Sequence, residues 1–568
     1  MADAEREIWR PEANTWEGTE LVNDIRTSET FIGRLGRPTR RHALAALLTS
    51  ALVAAGGLPQ FAAAQDRSET LIVAGPRTPE SLDQEYPPTE ATHEMRRNLY
   101  ERLLAYEMVE REDGILYEDF DSIVGALAES WEVSDDKTSI TFHLRDGVMS
   151  TAGNELNADD VMWSFERGWN LEANFHWYMT QVLKIKSFDE AFEKVDDMTV
   201  RVTIPNSSPL IEDLWVNNDL GILDSVEMAK HTTDQDPWGS RWLATNSASF
   251  GPYAATRYAP GQEVIYEANE NYYRGVPRIK RVIFREMPTS SNRVAALQAG
   301  AVDVAEWLLP RELSFLEKMP GVEVQQVFGN YIHRVEMNNE AEPFDDPKVR
   351  QALNYLVPRD QISQAVYHGT ARATHSPVSE IYPGFTDAGF PYEYNVERAK
   401  ELLAEAGHED GFTVELGYRT GDQLEEEIAV ILQTAFAEAG VTLELSRLPA
   451  STLVERYTGG DIPMYFFRDM AIVPDAAYGS NLWLNSESLI NYSNYKNEEV
   501  DQLIDAALTT IDQEKRIADM ERVQKIVVEE APWVFLFNPG YQLAHRANVK
   551  GFSWYTPNAN NWYDFYKN

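Results

Sequence analysis

The stretch PFDDPKVRQALNYLVPRDQI, Pro343 to Ile362, decides the fold. Asp346 is placed to cap a helix, and Pro347 takes the first helical position, where a missing N–H costs nothing. Val349, Ala352, Leu353 and Leu356 then recur at i, i+3, i+4 and i+7, and Pro358 ends the pattern. This is one amphipathic helix laid on a core. A strand, YIHRVEMNN at Tyr331 to Asn339, runs into it.

Five further blocks surround this one. LIVAGPRTPESLDQEYPPTEATHEMRRNLYERLLAYE, Leu71 to Glu107, is a short apolar strand, a polar loop and a helix. In LAESWEVSDDKTSITFHLRDGVMSTAGNELNADDVMWSFER, Leu127 to Arg167, Ser139 to Leu144 alternates as a strand, Arg145-Asp146-Gly147 turns, and Asn157 caps a helix with Val161, Met162 and Phe165 on one face. Gly251 to Leu308 holds two β-rich runs around Pro260-Gly261, a strand at Val282 to Arg285, a helix at Arg293 to Gln298 stopped by Gly300, and a strand at Val302 to Ala305. Farther on, Asn395 to Leu416 and Ala429 to Leu445 each read helix, glycine, strand, which predicts a parallel or mixed α/β sheet. The last block carries a helical stripe of Ile517, Met520, Val523 and Val527, then a strand at Pro532 to Phe537.

A strand ending Met337-Asn338-Asn339 followed by PFDDPKVRQALNYLVPRD closely resembles the hallmark of the extracytoplasmic solute-binding proteins of family 5, and the other blocks resemble the same family across residues 66–568. These are periplasmic receptors for dipeptides, oligopeptides, nickel chelates, opines and related solutes taken up by ABC importers. The resemblance implies a periplasmic-binding-protein type II fold of the α/β class, with two α/β lobes joined by two crossing segments and an extra inserted N-terminal domain. The expected division is a leader and signal peptide at 1–64, lobe I at 65–105, 230–338 and 540–568, the inserted domain at 106–229 and lobe III at 339–539. The crossings are expected near Met337 to Asn339 and Asn538 to Tyr541. The implied partners are a small-molecule or peptide-like ligand and the transmembrane subunits of a permease, with the receptor itself a monomer.

The front of the chain reads as an export signal. Arg40 and Arg41 precede the apolar run ALAALLTSALVAAGGL, Ala43 to Leu58, and Ala62-Ala63-Ala64 offers a small-residue cleavage site. The run is shorter than a membrane span requires. PTRRHALAAL resembles a twin-arginine motif, although Ala43 stands where a large apolar residue is usual, so the twin-arginine and general secretory routes both stay open. The chain has no cysteine, hence no disulfide framework, no thiolate metal site and no lipid-modified cysteine to tether it. A free receptor is useful in a closed periplasm.

The formal charge is −41, and residues 1–64 contribute seven Lys/Arg against eight Asp/Glu. The remainder therefore carries 83 acids against 43 bases, a field that disfavours nucleic acid and anionic membranes. There is no G-x-x-x-x-G-K-[ST], G-x-G-x-x-G, H-E-x-x-H or G-x-S-x-G sequence. The expectation is a binding protein with no catalytic residue, no cofactor and no metal site; the rival class is a secreted hydrolase acting on a small peptide or glycan.

Ligand contacts are expected from aromatic and polar residues beside the crossings. They are Tyr86 in the first loop, Trp177 and Tyr178 in NFHWYMTQ, Tyr331 and His333 on the signature strand, Asn338 at its end, and Arg468, Asp469, Asn481 and Trp483 in FFRDMAIVPDAAYGSNLWLNS. Aromatic rings suit stacking or cation–π capture, and Arg468 with Asp469 suits a carboxylate and a cation. No second histidine stands near His333 in sequence to make a metal site. In peptide-binding relatives, a segment resembling G-W-x-x-D-x-P-D-P supplies an aspartate to the peptide's amino terminus. Anchored on Pro474-Asp475, that aspartate position holds Ile472 here and the tryptophan position holds Asp469, which argues against a normal peptide amino terminus.

Overall fold

The signature helix forms as its sequence dictates. It spans Pro347–Tyr355 with Asp346 as N-cap, the aspartate accepting from Lys348 N at 2.8 Å. Val349, Ala352, Leu353 and Leu356 are fully buried against Val335, Met337, Leu416 and Met464. The chain is described here by a computed structural model covering residues 67–387 and 389–568; the export segment read at residues 1–64 lies outside the described residues.

Two large mixed sheets organise the molecule. The first has seven strands in the order Val322–Val327, Tyr541–Arg546, Val304–Glu306, Thr70–Gly75, Arg281–Glu286, Glu263–Ala268 and Tyr253–Ala259. The second has six, in the order Arg372–Ala373, Trp533–Asn538, Ile332–Met337, Met464–Asp469, Phe412–Arg419 and Val441–Leu448. Within the second, Phe412–Arg419 runs parallel to both neighbours, while Ile332–Met337 is antiparallel to both of its own. Strands at Ala128–Val133, Ser139–Leu144, Thr199–Thr203 and Phe192–Asp196 build a separate four-stranded sheet, and the hairpin Leu104–Glu110 with Leu116–Gly125 takes Ser553–Trp554 as a third strand.

The chain passes from the first sheet to the second through residues 328–331, between Val322–Val327 and Ile332–Met337, and returns through residues 539–540. The outward crossing therefore precedes the signature strand, not follows it at Met337 to Asn339 as expected, and the boundary at residue 338 moves with it. Antiparallel pairing explains the correction: Trp533–Asn538 leaves the second sheet at its Asn538 end, and the strand entering alongside it begins at that same end. Asn538 Nδ2 donates to Gly329 O at 2.7 Å, tying the two crossings together. A side chain at Gly329 has no room, since a Cβ would lie 2.6 Å from the Trp554 ring.

Asn354, in the last turn of the signature helix, has a role that periodicity does not reveal. The short edge strand pairs only with Phe537 and Asn538, so earlier backbone groups of Trp533–Asn538 need other partners. Asn354 Nδ2 donates to Trp533 O at 2.9 Å and its Oδ1 accepts from Phe535 N at 3.0 Å, standing in for a missing strand. Asn354→Ala leaves both buried groups unpaired and is expected to cost about 2 to 4 kcal/mol in urea unfolding. A loss under about 1 kcal/mol contradicts this role.

Candidate ligand-binding site

The helix Glu90–Leu99 is capped by Thr89, and its first residue, Glu90, faces the second sheet. Arg468, at the end of strand Met464–Asp469, lies 3.1 Å from Asp422 and 4.0 Å from Glu90, and Tyr331 donates its hydroxyl to Glu90 at 3.4 Å. Burial favours protonated Glu90, but Arg468 and further donors outweigh it and hold the carboxyl below its ordinary range. His333 lies beneath this network, its Nδ1 3.1 Å from the Tyr367 hydroxyl and its Nε2 without a partner. Burial, then Arg468, push its ring well below the usual imidazole range. Tyr331, His333 and Arg468 are thus brought together.

Asp469 and Trp483 also meet, the indole Nε1 donating to Asp469 Oδ2 at 2.9 Å. They cap a buried cluster in which the Arg334 guanidinium lies 4.7 Å from Trp483, 4.9 Å from Phe467 and 4.4 Å from Trp533, with Glu336 bonded to its Nε at 2.6 Å. Tyr178 is buried and donates to Asp219 at 2.9 Å, with the partly buried Trp177 edge-on to it. Tyr86 is 39% exposed and contributes its carbonyl to Arg96 and, at 3.2 Å, to Asn174. Asn481 is half-buried on the helix Ala476–Leu484. Asn338 does not belong with these: it lies at the far end of the strand from Tyr331, its Oδ1 accepting from Asn494 Nδ2 at 3.0 Å.

A different set of residues surrounds a cavity between the parts. Arg97 of the helix Glu90–Leu99, Tyr106 and Glu118 of the hairpin, Asp213, Val216, Asn217 and Asn218, Ile472 of the second sheet's side, and Thr556 of the carboxyl-terminal return line it. As the parts stand it measures about 10 Å³, room for roughly one water. Arg97 Nη2 reaches Glu118 at 3.1 Å and Thr556 O at 2.8 Å, its guanidinium 4.4 Å from the Tyr555 ring. Glu118 also accepts from Thr556 N at 2.8 Å, and Asn218 Nδ2 donates to Thr556 O at 3.2 Å. Arg97 Nε and Nη1, Asn218 Oδ1 and Thr556 Oγ1 are buried without a partner. Asp213 accepts from the Tyr106 hydroxyl at 3.0 Å, and burial with nearby Asp475 pushes its carboxyl up to about 6.

Of this cavity, sequence reasoning flagged only Ile472, as the occupant of an expected ligand position. The rest were missed because they come from five separate stretches. The available signal was the RR pair inside the block Leu71 to Glu107, Arg96-Arg97.

Two mixed α/β sheets joined by paired crossings, with a polar cavity between them, are the build of a type II periplasmic binding protein. The peptide-binding protein DppA of Helicobacter pylori, solved with the peptide STSA, has this fold at a TM-score of 0.77 and 24% identity, covering 88% of this chain and 98% of that one. A model of the bacterial extracellular solute-binding proteins, family 5 (middle region), matches residues 122–489, and the chain belongs to that family. Among curated relatives, heme-binding protein A of Haemophilus influenzae is 29% identical over 429 residues, covering 72% of this chain and 78% of that protein. The probable D,D-dipeptide-binding periplasmic protein DdpA of Escherichia coli is 28% identical over 514 residues, 88% of this chain and 94% of its own length. Each of these relatives is named as a binding protein.

His93, one turn before Arg97, gives a pH test of this side of the cleft. Burial pushes its ring down to about 4, against the pull of Asp219 at 3.7 Å. The unfolded chain takes up this proton near pH 6.5 while the folded chain refuses it, so the contribution is complete above that pH and is lost as pH falls toward 4. Between pH 7 and 5 the loss is about 2 kcal/mol. Urea midpoints of wild type and His93→Gln at both pH values should differ in slope by that amount; equal slopes refute the assignment.

Proposed function

We propose that the chain is the substrate-binding receptor of an ABC importer, capturing a peptide-like or other small polar organic solute between its two sheets and delivering it to the permease subunits. The observation that carries this is the cavity at Arg97, Asp213, Ile472 and Thr556, where separate stretches of the chain converge around buried polar atoms of Arg97, Asn218 and Thr556 that have no partner. Relatives named for peptides and a solved neighbour holding one support a peptide-like solute. The crossings at residues 328–331 and 539–540 act as the hinge. Residues 66–568 work as a monomer in the periplasm after export by the leader and cleavage near Ala64. Among the described residues no helix is long and apolar enough to cross a membrane.

Closure is a population shift: a ligand that contacts both lobes stabilises the closed form, and the permease reads that form. Micromolar affinity, about −8 kcal/mol, is within reach of a few satisfied polar contacts and a stacked ring. The test is native mass spectrometry of the protein purified from its own periplasm, followed by small-angle scattering before and after exchange of the retained solute. The expected result is a bound small molecule whose removal opens the particle and whose return closes it. A protein that carries none, and that no member of a peptide, opine and chelate panel compacts, does not act as this receptor.

A further inference from the structure

Asp213 is the one wall of the cavity whose charge nothing answers. It opens the short turn Asp213–Val216 of the inserted domain and accepts a hydrogen bond from the Tyr106 hydroxyl. Among the described residues no Lys, Arg or His lies within ion-pair distance of it. The charges that bear on it are anions, Asp475 and Glu212. Asp475 is already matched: it accepts from Ala477 N and Tyr478 N at 2.9 Å each and pairs with Arg516 at 2.7 Å. Arg97, across the cavity, is matched by Glu118 at 3.1 Å.

The cavity thus holds one cation and two carboxylates, and lacks one positive charge. Around that deficit lie two unused guanidinium donors of Arg97, the Asn218 carbonyl and the Thr556 hydroxyl, all buried. We infer that the ligand brings a cationic nitrogen to Asp213 and carbonyl or carboxylate oxygens to Arg97 and Thr556, so that the inserted domain supplies the charge that Ile472 withholds on the opposite wall. The inference rests on the receptor reading and adds its chemistry: a short zwitterionic or cationic amide, its amine held by Asp213. Ile472 then supplies apolar contact beside the ammonium. A neutral or purely anionic solute closes over the partly buried Asp213 and leaves its charge unanswered, a disfavoured arrangement.

The experiment uses the mature protein at pH 7.5 with two matched probe sets, dipeptides with free amino termini and the same dipeptides N-acetylated, screened by thermal shift and titrated calorimetrically. The expected result is binding by free-amine probes and roughly thirtyfold or greater weakening on acetylation, the scale of an unpaired buried charge. Asp213→Asn keeps the acceptor for Tyr106 and the side chain's shape, so it should fold as wild type by circular dichroism while losing the preference for the free amine. A purely structural role for Asp213 would weaken both probe sets alike. Equal binding of the two sets by wild type, or a preference that survives Asp213→Asn, overturns the inference and leaves the receptor reading intact, as does a retained solute with no basic nitrogen. A protein that binds no small molecule in either this screen or the native experiment removes both.

Discussion

The antiparallel pairing of Ile332–Met337 with Trp533–Asn538 is the constraint on which the rest depends. Because one strand enters the second sheet beside the point where the other leaves it, the two crossings must lie side by side, and Asn538 bonded to Gly329 O holds them there. Two adjacent short segments permit rotation about one axis and resist twisting about others. Around them the packing is unforgiving: Gly329 sits against Trp554, and Asn330 donates at 2.7 Å to both the Tyr382 hydroxyl and Ala471 O. The hinge is therefore defined by strand direction, and its precision by two asparagines and a glycine.

Around that hinge, charged pairs stand beside apolar contacts between the two halves, among them Phe120 against Tyr382. Arg468 reaches Glu90 only at 4.0 Å while holding Asp422 at 3.1 Å within its own half, and Arg311 reaches across to Glu427 at 3.1 Å from a partly exposed position. Such pairs return little net free energy, because desolvation offsets attraction for buried pairs and solvent screens exposed ones. That is what a receptor needs. Ion pairs that nearly balance add little to closure themselves and leave the decision to whatever enters the cavity.

Much of the architecture was legible because it rests on local chemistry. Asn157, Asp346 and Asn395 each cap the helix expected of them, and Ser139–Leu144 is a strand over the expected residues. The paired helix–glycine–strand blocks gave the parallel strands Phe412–Arg419 and Val441–Leu448. The crossing was misplaced because its position follows from a pairing between residues nearly two hundred positions apart, which no local pattern encodes. The site was only half legible for the same reason. Tyr331, His333 and Arg468 cluster because strand neighbours bring them together, and Asp469 meets Trp483 across one turn and a helix. Arg97, Asp213 and Thr556 could be joined only by the tertiary fold, and nothing in the sequence around Asp213 sets it apart from the many other acids of a chain carrying 91 of them.

The unpartnered atoms around the cavity also say how a ligand does work on the hinge. Each buried polar atom left without a partner costs roughly 1 to 3 kcal/mol, a cost absent when the lobes part and water reaches it. Arg97 presents two such atoms, and Asn218 and Thr556 one each, all within a space that holds about one water. Closing the lobes on that space is therefore opposed by the very groups that line it. These groups form one bonded cluster through Thr556, and Ile472 is the lining residue from the second sheet's half, so a solute that satisfies them meets both walls only when the lobes are shut around it. Differential affinity for the closed form, the quantity that any ligand-driven closure requires, is in this way built into the lining. Arg97 is central to it: tied to Glu118 and Thr556 O through one nitrogen, it is held in place with its other two nitrogens left to the ligand.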